Sequence, residues 1–162
     1  MKRLWSPWRL QYVAGSYKKS AGCIFCEKIP TPEKDRQNLV LLRGDKGFMM
    51  LNLFPYNTGH FMVAPYVHVP SVEDLDADTL ADLMGMVNRG IAALRRAYQP
   101  DGINIGINLG AAAGAGIVDH VHIHVVPRWV GDTNFMPVFS ETKVIPELLE
   151  GTYERLRAAL SE

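Results

Sequence analysis

The sequence predicts an α+β domain, an antiparallel sheet carrying one long helix and a shorter C-terminal one, and three patterns lead there. Two short apolar runs flank a turn-like segment, one long stretch repeats its apolar residues every three or four positions, and two later stretches alternate at period two. In chain order, Pro30 to Asn38 is polar with two prolines and reads as a surface loop. Phe48 to Phe54 and His60 to Ala64, separated by Pro55-Tyr56-Asn57-Thr58-Gly59, read as a hairpin. Leu80, Leu83, Met84, Val87, Ile91, Leu94 and Tyr98 place a helix over Asp76 to Tyr98, stopped by Pro100 and Gly102. Ile103, Ile105, Ile107 and Leu109 then alternate with Gly102, Asn104, Gly106 and Asn108, so two carboxamides share one strand face. A glycine-rich loop, Gly110 to Gly116, precedes a strand over His120 to Val126, which Pro127 is expected to close. Ile145, Leu148, Leu149, Leu156 and Leu160 suggest the last helix, with Pro146 at its start.

Composition narrows the function classes. With 162 residues, 17 Lys+Arg and 17 Asp+Glu, the formal charge is zero, which argues against a protein that coats nucleic acid. No run of eighteen apolar residues is present, so no membrane span is expected. The start MKRLWSPWRLQYV lacks the apolar core of a secretory signal, and the cytoplasm is the expected compartment. We expect one domain over 1–162, with a C-terminal helical extension from about 140 to 162. Residues 1 to 20 form a basic aromatic arm: Lys2, Arg3, Arg9, Lys18 and Lys19 stand with Trp5, Trp8, Tyr12 and Tyr17, and no acid interrupts them. Such an arm suits contact with a nucleotide or a partner subunit, and equally suits packing on its own domain.

The chemistry concentrates in His120-Val121-His122-Ile123-His124. Period two sends the three imidazoles to one face about 6.6 Å apart, while the aliphatic residues enter the core. Three readings fit: a polar sheet face, a His-x-His metal site, or nucleophilic catalysis. The last is favoured, because neutral imidazole attacks phosphorus near pH 7 without a separate base. Gly110, Gly114 and Gly116 would let backbone amides approach a phosphate, and Asn108 just before them can donate from its carboxamide. Cys23 and Cys26, at C-x-x-C spacing, could supply two zinc ligands, stay reduced without metal, or act as a redox pair. His68 and His120 are the candidates to complete a zinc site.

The His-φ-His-φ-His-φ-φ pattern of His120 to Val126, φ being apolar, resembles the signature of the histidine-triad (HIT) family. The similarity takes in Cys23 to Cys26, Asn52, Gly59-His60, Pro65 to His68 and Pro127-Arg128. Leu4 to Arg9 and Arg128 to Pro137 look like its bacterial diadenosine tetraphosphate phosphorylase branch. The resemblance implies a HIT-like fold and a two-fold homodimer, which the arm could extend to a tetramer. It implies that His122 attacks an α-phosphate to form an AMP-histidine, with His120 and His124 positioning it and stabilising the leaving oxygen. Inorganic phosphate or water would then release the AMP. By the same resemblance Asn52 binds ribose hydroxyls and Asn108 contacts phosphate. Gly114, Gly116, Ile117 and Arg128 complete the expected nucleotide site, with apolar wall residues expected near Phe25 and Leu51. Where many family hydrolases carry phosphate-binding side chains this sequence has Gly116 and Ile117, so backbone amides would substitute. Some relatives hold structural zinc with residues matching Cys23, Cys26, His68 and His120. His60 would hydrogen-bond to His124 or nearby backbone.

Overall fold

The computed structural model describes residues 22–132 and 147–162. The basic aromatic arm, the segment from Asn134 to Pro137, and Ile145 with Pro146 lie outside them. Five strands form one antiparallel sheet: β1 (Val40–Arg43), β2 (Gly47–Leu51), β3 (Phe61–Pro65), β4 (Gly102–Ile107) and β5 (Ile123–Arg128), in the order β1-β2-β3-β5-β4. Two helices, α1 (Ala77–Tyr98) and α2 (Leu149–Leu160), cover one face. The architecture is α+β, as the periodicities predict.

Period-two alternation divides the core in two. Leu41, Met49, Leu51, Phe61, Val63, Val121, Ile123 and Val125 meet Leu83, Val87 and Leu94 of α1 and Tyr153 and Leu156 of α2 in the main cluster. Phe48, Met50, Met62 and Ala64 point the other way, into a smaller cluster capped by Phe25 and flanked by Ile117. The segment carrying Cys23 to Ile29 therefore roofs the β1-β2-β3 half of the second face. The β5-β4 half holds the open groove lined by His124 and Arg128.

Several boundaries differ from the sequence expectation. β1 was not anticipated: it is a four-residue edge strand with an irregular register between Val40 and Leu42, too short for a clear alternation. The first hairpin strand stops at Leu51, because Asn52 folds back to accept the Phe54 N–H on its Oδ1 at 2.9 Å. β4 stops at Ile107, leaving Asn108 and Leu109 beyond it. β5 begins at Ile123 rather than His120, since its β3 ladder starts only at Val63 opposite Ile123. His120 is held instead by its ring bond to the Pro65 carbonyl, and Val121 by an N–H bond of 2.7 Å to the Val69 carbonyl. Pro127 does not close the strand. It pairs with Ile103 of β4, past the end of the β3 ladder at Val125, where an N–H toward β3 would find no partner.

α1 starts where expected, with the Asp76 carboxylate accepting the Thr79 N–H at 2.7 Å, and stops at Gln99 in the left-handed conformation before Pro100. Its buried stripe is shifted from the predicted one. Met86, Gly90 and Ala93 face the sheet, whereas Leu80 and Met84 stay 37% and 44% exposed. Gly90 permits that contact: a Cβ there would lie 2.3 Å from the Phe61 ring. α2 begins at Leu149, later than Pro146 suggested. Glu147 anchors this start by accepting the Thr152 hydroxyl at 2.9 Å, the Tyr98 hydroxyl and a charge contact from Arg155. Arg157 donates to the Leu41 carbonyl at 2.7 Å, so α2 braces β1 and belongs to the main core rather than extending from it. Among the described residues no helix is long and apolar enough to cross a membrane.

Candidate active site and metal centre

Backbone carbonyls fix the proton on two of the three triad rings. His122 Nδ1 lies 2.9 Å from the His120 carbonyl, which can only accept, so Nδ1 carries the hydrogen and Nε2 of the neutral ring keeps its lone pair. His120 Nε2 lies 2.9 Å from the Pro65 carbonyl and donates in the same way, which turns the Nδ1 lone pair of His120 toward the cysteines. His124 is set through His60. The Tyr56 N–H donates to His60 Nδ1 at 3.0 Å, so neutral His60 carries its hydrogen on Nε2 and gives it to His124 Nδ1, also at 3.0 Å. The Nδ2 of Asn52 is farther from His60 Nε2, at 3.5 Å. His124 therefore holds its own hydrogen on Nε2. One ring offers a lone pair while its neighbour, 4.8 Å away between centroids, offers a donor.

His122 is only 4% exposed, with Phe25 packed 5.0 Å from both its ring and that of His120. Among the described residues the one buried side-chain N or O atom without a hydrogen-bond partner is Thr58 Oγ1. Nε2 of His122, which has no such partner, therefore reaches solvent. The groove of about 330 Å³ is lined by His124, Asn108, Gly106, Asn104, Arg128 and Tyr56, while His122 itself lines a smaller apolar cavity of about 60 Å³ with Ile107, Val121 and Ile123.

Behind the triad, Cys23, Cys26, His68 and His120 bring their ligand atoms within 4.8 Å of one another. His120 Nδ1 is 3.2 Å from Cys23 Sγ, 3.6 Å from Cys26 Sγ and 3.2 Å from His68 Nδ1, and Cys26 Sγ is 3.3 Å from His68 Nδ1. A tetrahedral zinc with ordinary bond lengths would separate its ligand atoms by about 3.3 to 3.8 Å. The donor set fits such an ion. Burial and the neighbouring Cys23 push the Cys26 thiol above its usual range, so a cation there would supply the charge that favours two thiolates.

A family model for the HIT domain matches residues 33–130. The AP-4-A phosphorylase of Mycobacterium tuberculosis is 40% identical over 157 residues, covering 94% of this chain and 80% of that protein. The chain belongs to the histidine-triad family. A zinc-bound histidine triad family protein from Mycobacterium smegmatis superposes with a TM-score of 0.68 at 29% identity, covering 86% of this chain and 94% of that one. The bis(5'-adenosyl)-triphosphatase of Dictyostelium discoideum is 36% identical over 93 residues, 57% of this chain and 62% of that protein. The chain is thus a nucleotide-processing HIT enzyme of the nucleotidyltransferase or hydrolase kind.

Within this HIT site, burial first lowers the pKa of all three triad histidines, and the charge of His122 adds to the effect on His124, which falls to about 4. Neutral imidazoles at pH 7 are what a lone-pair nucleophile and a hydrogen-bond donor both require. Asn108 and the glycine loop meet: a Cβ on Gly114 would be 3.9 Å from Asn108 Nδ2. Gly110 and Gly114 take positive φ, while Gly116 does not, and the Ile117 side chain packs against the smaller cluster that includes Phe25. Asn52 stands at the end of β2 against His60. Leu51 is fully buried on the helix face, and of the β2 residues near it Phe48 and Met50 face the Phe25 side, because β2 alternates. Arg128 lines the groove but is held by Asp132, with bonds of 2.7 Å from Nε and Nη2, and by the Asn104 carboxamide at 3.0 Å. Sequence reasoning missed Tyr56, Asn57 and Gly106. The Asn57 carboxamide donates to the Pro127 carbonyl at 3.0 Å and to Asp132 at 2.7 Å, tying the hairpin turn to β5. A turn composition hides such roles, since the pairing lies about seventy residues away.

Proposed function

We propose that this enzyme cleaves diadenosine tetraphosphate through an AMP-histidine on His122, with inorganic phosphate as acceptor, giving ATP and then ADP. The observation that carries the reading is the fixed tautomer of His122, which leaves the Nε2 lone pair on a ring 4.8 Å from that of His124, whose hydrogen is on Nε2. Nε2 bonds to the α-phosphorus as the bridging P–O bond breaks. The bond's electron pair leaves with the ATP oxygen, which accepts the His124 hydrogen bond. The carbonyl of His120 stabilises the positive charge left on the ring. A phosphate oxygen then attacks the same phosphorus from the opposite side, releasing ADP and restoring neutral His122. His120 and His124 orient and support this step, Asn52 holds the ribose, and Asn108 with the amides of Gly114, Gly116 and Ile117 holds the α-phosphate. Arg128 takes the outer phosphates.

Similarity to the mycobacterial phosphorylase favours phosphate over water as acceptor. A second reading, hydrolysis of dinucleoside polyphosphates or adenosine phosphoramidates, draws on similarity to the triphosphatase. In that case water takes the second step. Zinc at Cys23, Cys26, His68 and His120 would lock the roof segment to the triad as a structural ion. We also propose a single-domain protein with an N-terminal arm, cytoplasmic, working as a homodimer or tetramer. Supporting a homodimer, β4 is a sheet edge with exposed Ile105, Ile107 and Leu109 beside exposed Leu80 and Met84. Incubation with diadenosine tetraphosphate, with and without inorganic phosphate, tests the reaction. ADP formed only with phosphate is expected; AMP as product in both would favour the hydrolase, and no cleavage in either would reject the polyphosphate reading.

A further inference from the structure

We propose that Gly106 and Asn104 of β4, with the ring of Tyr56, form a subsite for the departing nucleotide, its base stacked on Tyr56. The inference rests on the reading that His122 attacks the α-phosphate, and it deepens that reading by naming what binds the leaving half.

Strand order supplies the direction. Asn52 lies at the end of β2, separated from β5 by β3, whereas β4 adjoins β5 on the opposite side. With neighbouring strands about 4.8 Å apart, the triad stands between a β2 side and a β4 side. In-line displacement puts the leaving oxygen opposite His122 Nε2, and with the retained nucleoside toward Asn52 the open groove on the β4 side is the space that remains for the departing half. His124, whose Nε2–H meets the leaving oxygen, pairs directly with Gly106, and Asn104 pairs with Val126.

The chemistry of that side fits a nucleotide. Gly106 leaves the groove open: a Cβ built there meets no heavy atom within 4 Å, so any larger residue would project into the cavity of about 330 Å³. Tyr56 is 53% exposed, yet its orientation is fixed by stacking on His60 at 4.8 Å and 23°. A half-exposed, preoriented ring is a platform for a base. Asn104 brings a carboxamide able to bond the polar edge of such a base, and its Oδ1 is held by Arg128. Asp132 fixes Arg128 at this end of the groove, where its guanidinium can meet the outer phosphates that lead to the departing nucleoside.

The test compares kcat/KM for diadenosine tetraphosphate with that for adenosine 5'-phosphoramidate, whose leaving group is ammonia and cannot reach the subsite. In Gly106→Val and in Tyr56→Ala the ratio of the two is expected to fall about tenfold or more, the worth of one stacked base. A ratio within about twofold of wild type in both variants would overturn the subsite. Tyr56→Ala removes a largely exposed ring, so it keeps the test decisive if Gly106→Val fails to fold. Wild-type protein that cleaves neither compound would instead reject the underlying reaction, a result separable from an unmoved ratio.

Discussion

His60 shows how much a fully buried polar side chain can decide. It touches no phosphate in this reading, yet by taking the Tyr56 N–H on one nitrogen it determines which nitrogen of His124 keeps a hydrogen. His60→Ala should let His124 turn or change tautomer. We expect kcat for diadenosine tetraphosphate to fall about a hundredfold, the usual worth of a positioned proton donor, with little change in AMP binding. Steady-state kinetics alongside calorimetric titration with AMP would check this. His124 also governs part of the acid response. Its folded-state pKa, about 4, lies below the ordinary imidazole value of 6.5. The unfolded chain therefore binds the extra proton first on acidification. The stability due to this ring is present above pH 6.5 and is lost as pH falls toward 4. Melting temperatures measured from pH 7 to pH 4 should decline less steeply for His124→Gln than for wild type.

At the scale of elements, close approach matters more than propensity. Gly90 is an unfavourable helix residue, but α1 can rest on β3 only because nothing projects there toward Phe61. Gly90→Ala should destabilise the fold by about 1 to 3 kcal/mol through overpacking, measured by urea unfolding, despite the better helix propensity of alanine. The helix itself was legible in the sequence because its apolar repeat runs for several turns, and the histidine face because period two persists around it. What escaped reading is informative in physical terms. β1 is four residues long and irregular, so no period accumulates. The beginning of β5 depends on where β3 ends, a long-range fact with no local mark. Leu51 adjoins Asn52, but adjacent strand residues face opposite sides, so it lies in the core under the helices. Tyr56 and Gly106 sit in segments whose composition speaks of turn and edge; only the strand order brings them beside His124.

The whole molecule couples its two centres through one ring. His120 gives Nε2–H to the Pro65 carbonyl and directs Nδ1 to the Cys23, Cys26 and His68 cluster, while its own carbonyl holds His122, the proposed nucleophile. The roof segment, Phe25 included, thus meets the same residue that orients the His122 ring. Treatment with a strong chelator should lower the melting temperature by several degrees, about what 1 to 2 kcal/mol represents in a domain of this size. Both thiols should then become reactive toward a disulfide reagent, and added zinc should reverse the two effects. An unchanged melting curve with thiols already reactive before chelation would remove the metal from the account. Arg43 complements the cluster from the other side, with a bidentate pair to Asp35 and bonds of 2.7 and 3.1 Å to the Lys28 and Ile29 carbonyls. The decisive claim, however, concerns one bond from Nε2 of His122 to phosphorus. Rapid acid-free quenching of enzyme and diadenosine tetraphosphate without inorganic phosphate, followed by intact and peptide mass spectrometry, tests it most directly. The account predicts one adenylyl group on the peptide containing His120 to His124, absent in His122→Asn; turnover with no adduct, or an adduct on another peptide, would contradict it.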